Sequence, residues 1–179
     1  MLYVLILSEN YMVAYAQKLG PKRYRESGGR CYEDFEVGDI YEHRPGRTIT
    51  ETDNIWFTLL TMNTHPLHFD NAYAQRTEFK RALVNSCLTL SIVVGMSVSD
   101  VSQKAIANLG WRDIKLTAPV FVGDTVYAES QVLSKRESAS RPQLGIVTVR
   151  TVGKKADGTE FIDFERSVLV PKREFAIED

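Results

Sequence analysis

The sequence contains few cysteines and no excess of charge of either sign. Among its 179 residues are two cysteines, Cys31 and Cys87, which lie far apart and without the spacing of metal ligands. Free thiols in a reducing compartment explain this pattern most simply, so we expect a cytoplasmic protein. The net charge is −1 and no long basic run is present. A nucleic-acid-binding protein held by phosphate contacts is therefore not expected, although a local basic site for one small anionic ligand fits this balance.

A long apolar run of the kind that crosses a membrane is also missing. The N-terminal run Leu2–Leu7 is too short for a span, no basic region precedes it, and no clear small-residue cleavage site follows it. We therefore interpret residues 1–30 as an extension, with a short helix at Tyr11–Leu19 and a linker through Gly28–Gly29. This extension either reflects an upstream start codon or forms an arm that packs on a partner subunit.

The composition favours one compact domain after this extension. Hydrophobic residues make up 44% of the chain and charged residues 25%, which is enough for a sizeable core. We place the domain at residues 31–173 and a C-terminal tail at residues 174–179. The most apolar stretch, Val84–Val98, is typical of a buried helix.

Segments rich in strand-forming residues lie on both sides of this helix. Turn residues at Gly123–Asp124 and Asp157–Gly158 separate the later ones. Long strands after one buried helix imply an α+β domain with antiparallel pairing. In chain order, the other predicted elements are a strand at Ile40–Thr50 interrupted at Pro45–Gly46, a helix at Asn54–Thr61 capped by Thr52 or Asp53, a brief helix at Asn71–Gln75, and strands at Ala107–Val120, Thr125–Glu137, Gly145–Lys154 and Glu160–Val170.

Two of the three histidines lie in one polar stretch, Thr61–Asp70, between apolar segments. His65 and His68 stand on either side of Pro66 and Leu67. Because Pro66 fixes its own φ and lacks a backbone donor, the preceding helix ends or kinks at this point. A kinked polar segment in apolar surroundings is costly unless its groups are paired or used. The stretch is therefore either a turn with a structural histidine or a functional site.

Three strings follow one another in a fixed order along the chain. Asn63–Asp70 reads N-T-H-P-L-H-F-D, Leu83–Ser86 opens the apolar stretch, and Pro119–Thr125 reads P-V-F-V-G-D-T. In this order they resemble the MaoC-like family of (R)-specific enoyl-CoA hydratases, whose patterns are D-x-N-P-h-H-x-D, an apolar stretch opening with H-G, and P-V-x-x-G-D-T. The resemblance covers Cys31–Arg173. It implies a single hot-dog fold, in which a curved antiparallel sheet is wrapped around a long central helix.

The resemblance also implies an activity. In that family an Asp and a His of the loop manage the reversible addition of water across the α,β double bond of an enoyl-CoA, and a backbone N–H at the start of the central helix binds the thioester oxygen. Here Asn63 replaces the Asp, His65 replaces the Asn, and Asn85 and Ser86 stand at the substrate-binding helix start. An amide cannot accept a proton, so the usual base is absent at residue 63. The oxyanion donor at Ser86 would be a backbone N–H, which any residue except proline supplies. No cofactor is implied beyond the coenzyme A of the substrate.

The loop residues differ in the roles that we expect for them. His68 is the expected general acid–base, because imidazole titrates near neutrality, and its alternative is a structural histidine that bonds only backbone groups. Asn63 either orients the water through its carbonyl oxygen or caps the preceding helix. His65 either replaces the missing carboxylate as a titrating group or supports the loop. Asp70 either orients His68 or caps the next helix, and capping is favoured.

Further strings resemble one branch of the family, the mesaconyl-CoA and itaconyl-CoA hydratases. They are the Thr61–Asp70 stretch itself, Ala107–Trp111 and Arg136–Pro142. The substrates of that branch are C5 dicarboxylic thioesters, and a substrate carboxylate would be repelled by a second anion in the pocket. We expect Arg136 and Arg141 to bind the substrate carboxylate, because guanidinium groups pair with carboxylates bidentately. The alternative is that both arginines are solvated or contact phosphate.

The resemblance extends to assembly. A lone hot-dog sheet leaves an apolar face and an edge uncovered, and members of the family form dimers with pockets at the interface, so we expect at least a homodimer. No metal is expected, because His43, His65 and His68 lack a convincing set of further ligands. Two other functions stay open. One is a hot-dog thioesterase, which would need a pocket carboxylate, and the other is an acyl-CoA-binding protein without catalysis, which Asn63 favours.

Overall fold

The computed structural model describes residues 14–177, and its larger sheet is antiparallel and has five strands. The strands are β1 (Ala14–Gly20), β2 (Arg23–Gly28), β3 (Ile40–Thr48), β4 (Ala107–Leu116), β5 (Thr125–Glu137), β6 (Leu144–Lys155) and β7 (Glu160–Pro171), and the helices are α1 (Glu51–Leu60), α2 (Asn71–Ala74) and α3 (Ser86–Met96). The sheet has the order β3-β5-β6-β7-β4, and β1 pairs with β2 in a separate hairpin. The α+β architecture predicted from the sequence is therefore confirmed.

The three central strands follow the two-residue alternation of a half-buried sheet. In β5, Val126, Ala128 and Val132 are buried, because every second side chain points to the core. The turn between β6 and β7 contains Gly158 at φ +88°, a backbone conformation that glycine adopts without strain. The bounds of β5 agree with the sequence prediction, whereas β4 ends before Pro119, which has no N–H to donate to a sheet.

Helix α3 packs its buried face against the sheet. Leu88, Ile92 and Val93 join Phe161 and other sheet residues in one apolar cluster. The helix approaches β6 closely at Gly153, where an added Cβ would lie 2.9 Å from Val93 and 2.7 Å from Phe161. The opposite face of the helix is exposed in the single chain. The predicted buried helix is therefore present, but it is buried on one side.

Helix α1 begins one turn earlier than predicted. Thr50 caps it, with the Asp53 N–H donating to Thr50 Oγ1 at 3.2 Å and the Thr50 N–H donating to Asp53 Oδ2 at 2.9 Å. The prediction that Thr52 or Asp53 is the cap is wrong, because Asp53 instead returns the bond in a capping box. The helix ends at Leu60, before Pro66, as predicted.

The N-terminal segment differs from the prediction. Residues 14–20 form β1, which pairs with β2 from Ala14–Gly28 to Gly20–Arg23. The short helix predicted at Tyr11–Leu19 is therefore wrong for residues 14–19, and its first three residues lie outside the described residues. Apolar residues spaced as in this segment fit either element, and pairing with β2 decides between them. Within residues 14–177, no helix has the length and apolarity needed to cross a membrane.

Candidate active site

A buried asparagine ties together the three segments that surround the histidine loop. Asn54, on α1, is 1% exposed. Its Nδ2 donates to the carbonyl oxygens of His68 at 2.8 Å and Leu83 at 3.1 Å, and its Oδ1 accepts from the Asn85 N–H at 2.8 Å. The amide thus satisfies backbone groups of the loop and of the segment that leads into α3. This role was not predicted from the sequence, because the groups that Asn54 binds lie 14 or more residues away along the chain.

His68 is held in one orientation by a bond to the same segment. Its Nδ1 lies 2.9 Å from the carbonyl oxygen of Leu83. Since a carbonyl oxygen can only accept, Nδ1 carries the hydrogen, and the neutral ring presents the lone pair of Nε2. The side chain is half-buried. An imidazole fixed through Nδ1 with an accepting Nε2 is suited to take a proton from a bound water.

The His68 side chain lines a small cavity of about 110 Å³. This volume accommodates several water molecules, since one water needs roughly 10–15 Å³ on this measure. The wall contains polar and charged groups as well as apolar ones. The lining residues are Glu51, Asn54, Ile55, His68, Phe69, Asn71, Arg81, Ala82 and Val122.

A second cavity of about 290 Å³ is lined in part by the segment that precedes α3. Leu83, whose carbonyl oxygen binds His68, is part of its wall, and so is Ser86. The other lining residues are mostly apolar: Phe79, Val84, Thr89, Leu116, Thr117, Ala118, Pro119, Val120 and Phe161. An apolar cavity of this size suits an apolar part of a ligand. His68 and Ser86 therefore face different cavities that share one backbone segment.

The Ser86 N–H group lies in the first turn of α3, where N–H groups have no partner within the helix. The Asn85 side chain accepts from the Cys87 N–H at 2.9 Å, and the Asn85 N–H donates to Asn54. In the part of the chain that the structure describes, the Ser86 N–H makes no hydrogen bond. It lies at the positive end of the helix dipole. This group can donate to a thioester oxygen at the wall of the larger cavity.

The other two loop residues support the backbone. Asn63 Oδ1 accepts from the His65 N–H at 3.0 Å, and His65 Nδ1 accepts from the Leu67 N–H at 3.1 Å. Neither side chain lines either cavity. The His65 ring lies 5.9 Å from the His68 ring, measured between centroids. The structure therefore brings the His65 ring close to the His68 ring and engages both Asn63 and His65 in forming the loop.

Asp70 caps α2, as predicted. Its Oδ1 accepts from the Tyr73 N–H at 2.9 Å. His68 is instead oriented by its bonds to Leu83 and Asn54.

The arginines predicted to bind a substrate carboxylate lie away from the loop. Arg136 is near the far end of β5 and Arg141 is in the following turn, both exposed. The start of β5 lies beside the segment that holds His68, since Leu83 pairs with Phe121. The ends of a straight strand of 13 residues are roughly 40 Å apart. Within one chain, both arginines therefore lie far from His68 along β5.

The third histidine belongs to a buried polar network. His43 Nδ1 lies 2.8 Å from Asp100 Oδ2, and its Nε2 lies 2.8 Å from Ser130 Oγ, which is 2.8 Å from Thr151 Oγ1. Arg30 Nη1 donates to Asp100 Oδ1 at 3.1 Å. Carboxylate, imidazole and hydroxyl thus stand in the order of a hydrolase triad. Ser130 is fully buried and lines neither cavity, so the network stabilises the junction of β3, β5 and β6.

Comparisons of the sequence with a family model and with known proteins point to the same family. A family model described as mesaconyl-CoA hydratase matches residues 12–179. The mesaconyl-CoA hydratase of Cereibacter sphaeroides is 32% identical over 152 residues, or 85% of this chain and 44% of that protein. The β-methylmalyl-CoA dehydratase of Chloroflexus aurantiacus is 35% identical over 146 residues, 82% and 41% of the two chains. The (R)-specific enoyl-CoA hydratase of Rhodospirillum rubrum is 32% identical over 142 residues, 79% and 92% of the two chains.

Solved structures agree with these relatives. A MaoC domain protein of Chloroflexus aurantiacus superposes with a TM-score of 0.77 at 35% identity, covering 81% of this chain and 41% of that one. A Mycobacterium tuberculosis protein with a double hot-dog fold gives a TM-score of 0.76 at 21% identity, covering 84% and 47%. The fold and the histidine loop thus define a MaoC-like hot-dog protein. Within this class, the chain belongs to the mesaconyl-CoA hydratase family. It spans less than half the length of the first two relatives.

Proposed function

We propose that the protein is a hydro-lyase that adds water reversibly across the α,β double bond of an acyl-CoA thioester, with a C5 dicarboxylic thioester such as mesaconyl-CoA as its substrate. The observation that carries this proposal is the bond between His68 Nδ1 and the Leu83 carbonyl, which leaves Nε2 free to accept a proton in a residue that lines a cavity. The family assignment and the activities named for the relatives support it.

In the proposed reaction, His68 acts from the smaller cavity and Ser86 acts from the larger one. His68 Nε2 takes a proton from water while the water oxygen bonds to the β-carbon. The alkene electron pair moves toward the thioester oxygen, which the Ser86 N–H stabilises, and the α-carbon then receives the proton that His68 took from the water. General acid–base catalysis contributes roughly 10²–10⁴-fold, and one oxyanion donor roughly 10²–10³-fold. The only cofactor in this scheme is the coenzyme A that the substrate carries.

A second copy of the chain completes the protein in this proposal. Among residues 14–177, β4 pairs only with β7, and its side chains Leu109 and Trp111 are 50% and 42% exposed. An unpaired edge with exposed apolar side chains favours strand pairing with another chain. The two relatives that are roughly twice as long as the matched region, and the double hot-dog neighbour, are consistent with two domains side by side. The homodimer places a pocket near its interface.

We propose that the protein is located in the cytoplasm. Cys31 is buried and Cys87 is exposed, and both are free thiols. An exposed free thiol is typical of a reducing compartment.

A second function has one observation in its favour. Asn63 carries an amide that cannot accept a proton, as expected for an acyl-CoA-binding protein without catalysis. One experiment separates the possibilities: the protein is incubated with mesaconyl-CoA, itaconyl-CoA and crotonyl-CoA while enoyl absorbance and free thiol are followed. Loss of absorbance without thiol is the expected result. Release of thiol would identify a thioesterase, and binding without either change would identify the non-catalytic protein.

A further inference from the structure

One cationic side chain at the His68 cavity has no role in the reaction described above. Arg81 lies on the wall of this cavity, a few residues before α3. Its guanidinium carbon is 3.7 Å from the centroid of the Phe121 ring, which is 8% exposed. A guanidinium stacked on an aromatic face is held in one plane and keeps its N–H groups free at the edge. The stacking on Phe121 thus orients the Arg81 side chain and leaves N–H groups of its guanidinium available to a ligand.

Arg81 also lacks a carboxylate partner among the described residues. Two exposed arginines of the sheet do have such partners, Arg112 with Glu165 at 2.8 Å and Arg150 with Asp163 at 2.8 Å. Glu51 lines the same cavity, but no ion pair joins it to Arg81 in residues 14–177. An oriented, uncompensated guanidinium at a cavity wall is a site for an anionic group of a ligand.

We propose that Arg81 binds the free carboxylate of a dicarboxylic acyl chain and thereby selects the substrate; this inference rests on the proposed function. In mesaconyl-CoA the free carboxylate is attached directly to an alkene carbon. It must therefore lie beside the reacting atoms, and a cavity of about 110 Å³ brings Arg81 and His68 to the same small group. The phosphates of coenzyme A lie at the other end of the molecule. Arg81 takes the role that the sequence assigned to Arg136 and Arg141.

The test compares a substrate that has the carboxylate with one that lacks it. Rates of hydration of mesaconyl-CoA and crotonyl-CoA are measured for the wild type, Arg81→Met and Arg81→Lys. Arg81→Met lowers kcat/KM for mesaconyl-CoA roughly 10–100-fold, the usual range for losing a hydrogen bond to a charged group. It leaves kcat/KM for crotonyl-CoA unchanged. Arg81→Lys retains part of the preference, because it keeps the charge but loses the bidentate geometry.

Arg76→Met is the matched control. Arg76 is also an exposed arginine near an aromatic ring, with its guanidinium carbon 5.7 Å from the centroid of Tyr73, but it lines neither cavity. It is expected to change neither rate. Thermal unfolding of all variants checks that the fold is intact.

Three results would overturn the inference. Equal loss with both substrates would assign Arg81 to coenzyme A or to folding, no loss with either would leave it without a role, and a similar loss in Arg76→Met would indicate a general charge effect. If the wild type hydrates neither thioester, the proposed function fails, and binding of the same two thioesters is measured by calorimetry. A wild-type preference for mesaconyl-CoA that Arg81→Met abolishes would then still support the inference, and its absence would refute it.

Discussion

Replacing Asn54 by alanine should damage both the stability and the activity of the protein. The substitution removes three hydrogen bonds, to the carbonyl oxygens of His68 and Leu83 and from the Asn85 N–H. Leu83 keeps its bond from His68 Nδ1, so two backbone groups lose their partner. An unsatisfied buried group costs about 1–3 kcal/mol, which gives a loss of about 2–6 kcal/mol in the free energy of unfolding. This is a large share of the 5–15 kcal/mol that is typical of small proteins.

The activity of the folded variant should fall as well. Asn54 fixes the backbone on both sides of the His68–Leu83 bond, and a shift of about 1 Å at a catalytic group costs up to roughly 100-fold in rate. Urea unfolding followed by fluorescence of the two tryptophans gives the stability, and mesaconyl-CoA hydration below the unfolding transition gives the rate. We expect a fall in kcat of roughly 10–100-fold.

Thr58→Val is the matched control for Asn54→Ala. Thr58 lies one turn further along α1, is fully buried, and has a hydroxyl without a hydrogen-bond partner among the described residues 14–177. Valine has nearly the same shape as threonine. The free energy of unfolding of the Thr58→Val protein should therefore be unchanged or about 1 kcal/mol higher. If Asn54→Ala costs less than about 1 kcal/mol and keeps its rate within threefold, the reasoning that Asn54 anchors the site is refuted.

Two further predictions concern the buried network and the assembly. Burial would raise the pKa of Asp100, but hydrogen bonds from His43 and Arg30 outweigh it and hold the pKa of this carboxyl below its ordinary value. Its stabilising effect is therefore present above about pH 4 and lost as the pH falls through the lower folded-state pKa. Asp100→Asn should lower the free energy of unfolding by about 2–3 kcal/mol at pH 7, with a smaller difference in acid, as urea unfolding across pH will measure; a difference independent of pH would contradict this. Trp111→Lys places a charge beside the free β4 edge and should shift the protein from dimer to monomer in light scattering, whereas an unchanged mass would exclude this edge as the interface.

The elements that could be predicted are those with a strong local pattern. β5 has the predicted bounds because turn residues precede it at Gly123–Asp124 and its apolar residues alternate. The loop around Pro66 and the cap at Asp70 likewise follow from short-range chemistry. In contrast, the segment at residues 14–20 has no decisive period, and its pairing with β2 determined the outcome.

The parts of the site that could not be predicted depend on distant contacts. Asn54 has no local signature as an anchor, because its partners His68 and Leu83 lie 14 and 29 residues away. The choice among arginines is similar: Arg136 and Arg141 stand in the string that resembles the family branch, but only the three-dimensional fold places Arg81 at the cavity. A fully buried cation such as Arg166 on β7 is also invisible in an alternating strand pattern.

The central claim is that His68 Nε2 exchanges a proton with the water that adds to the alkene. His68→Asn tests it most directly, because the asparagine amide can donate to the Leu83 carbonyl as Nδ1 does but offers no titratable nitrogen at the cavity. We expect the kcat of this variant for mesaconyl-CoA to be lower than that of the wild type by roughly 10²–10⁴-fold. Its circular dichroism and thermal unfolding should match those of the wild type. A folded His68→Asn protein that hydrates mesaconyl-CoA within a few-fold of the wild-type rate would contradict it.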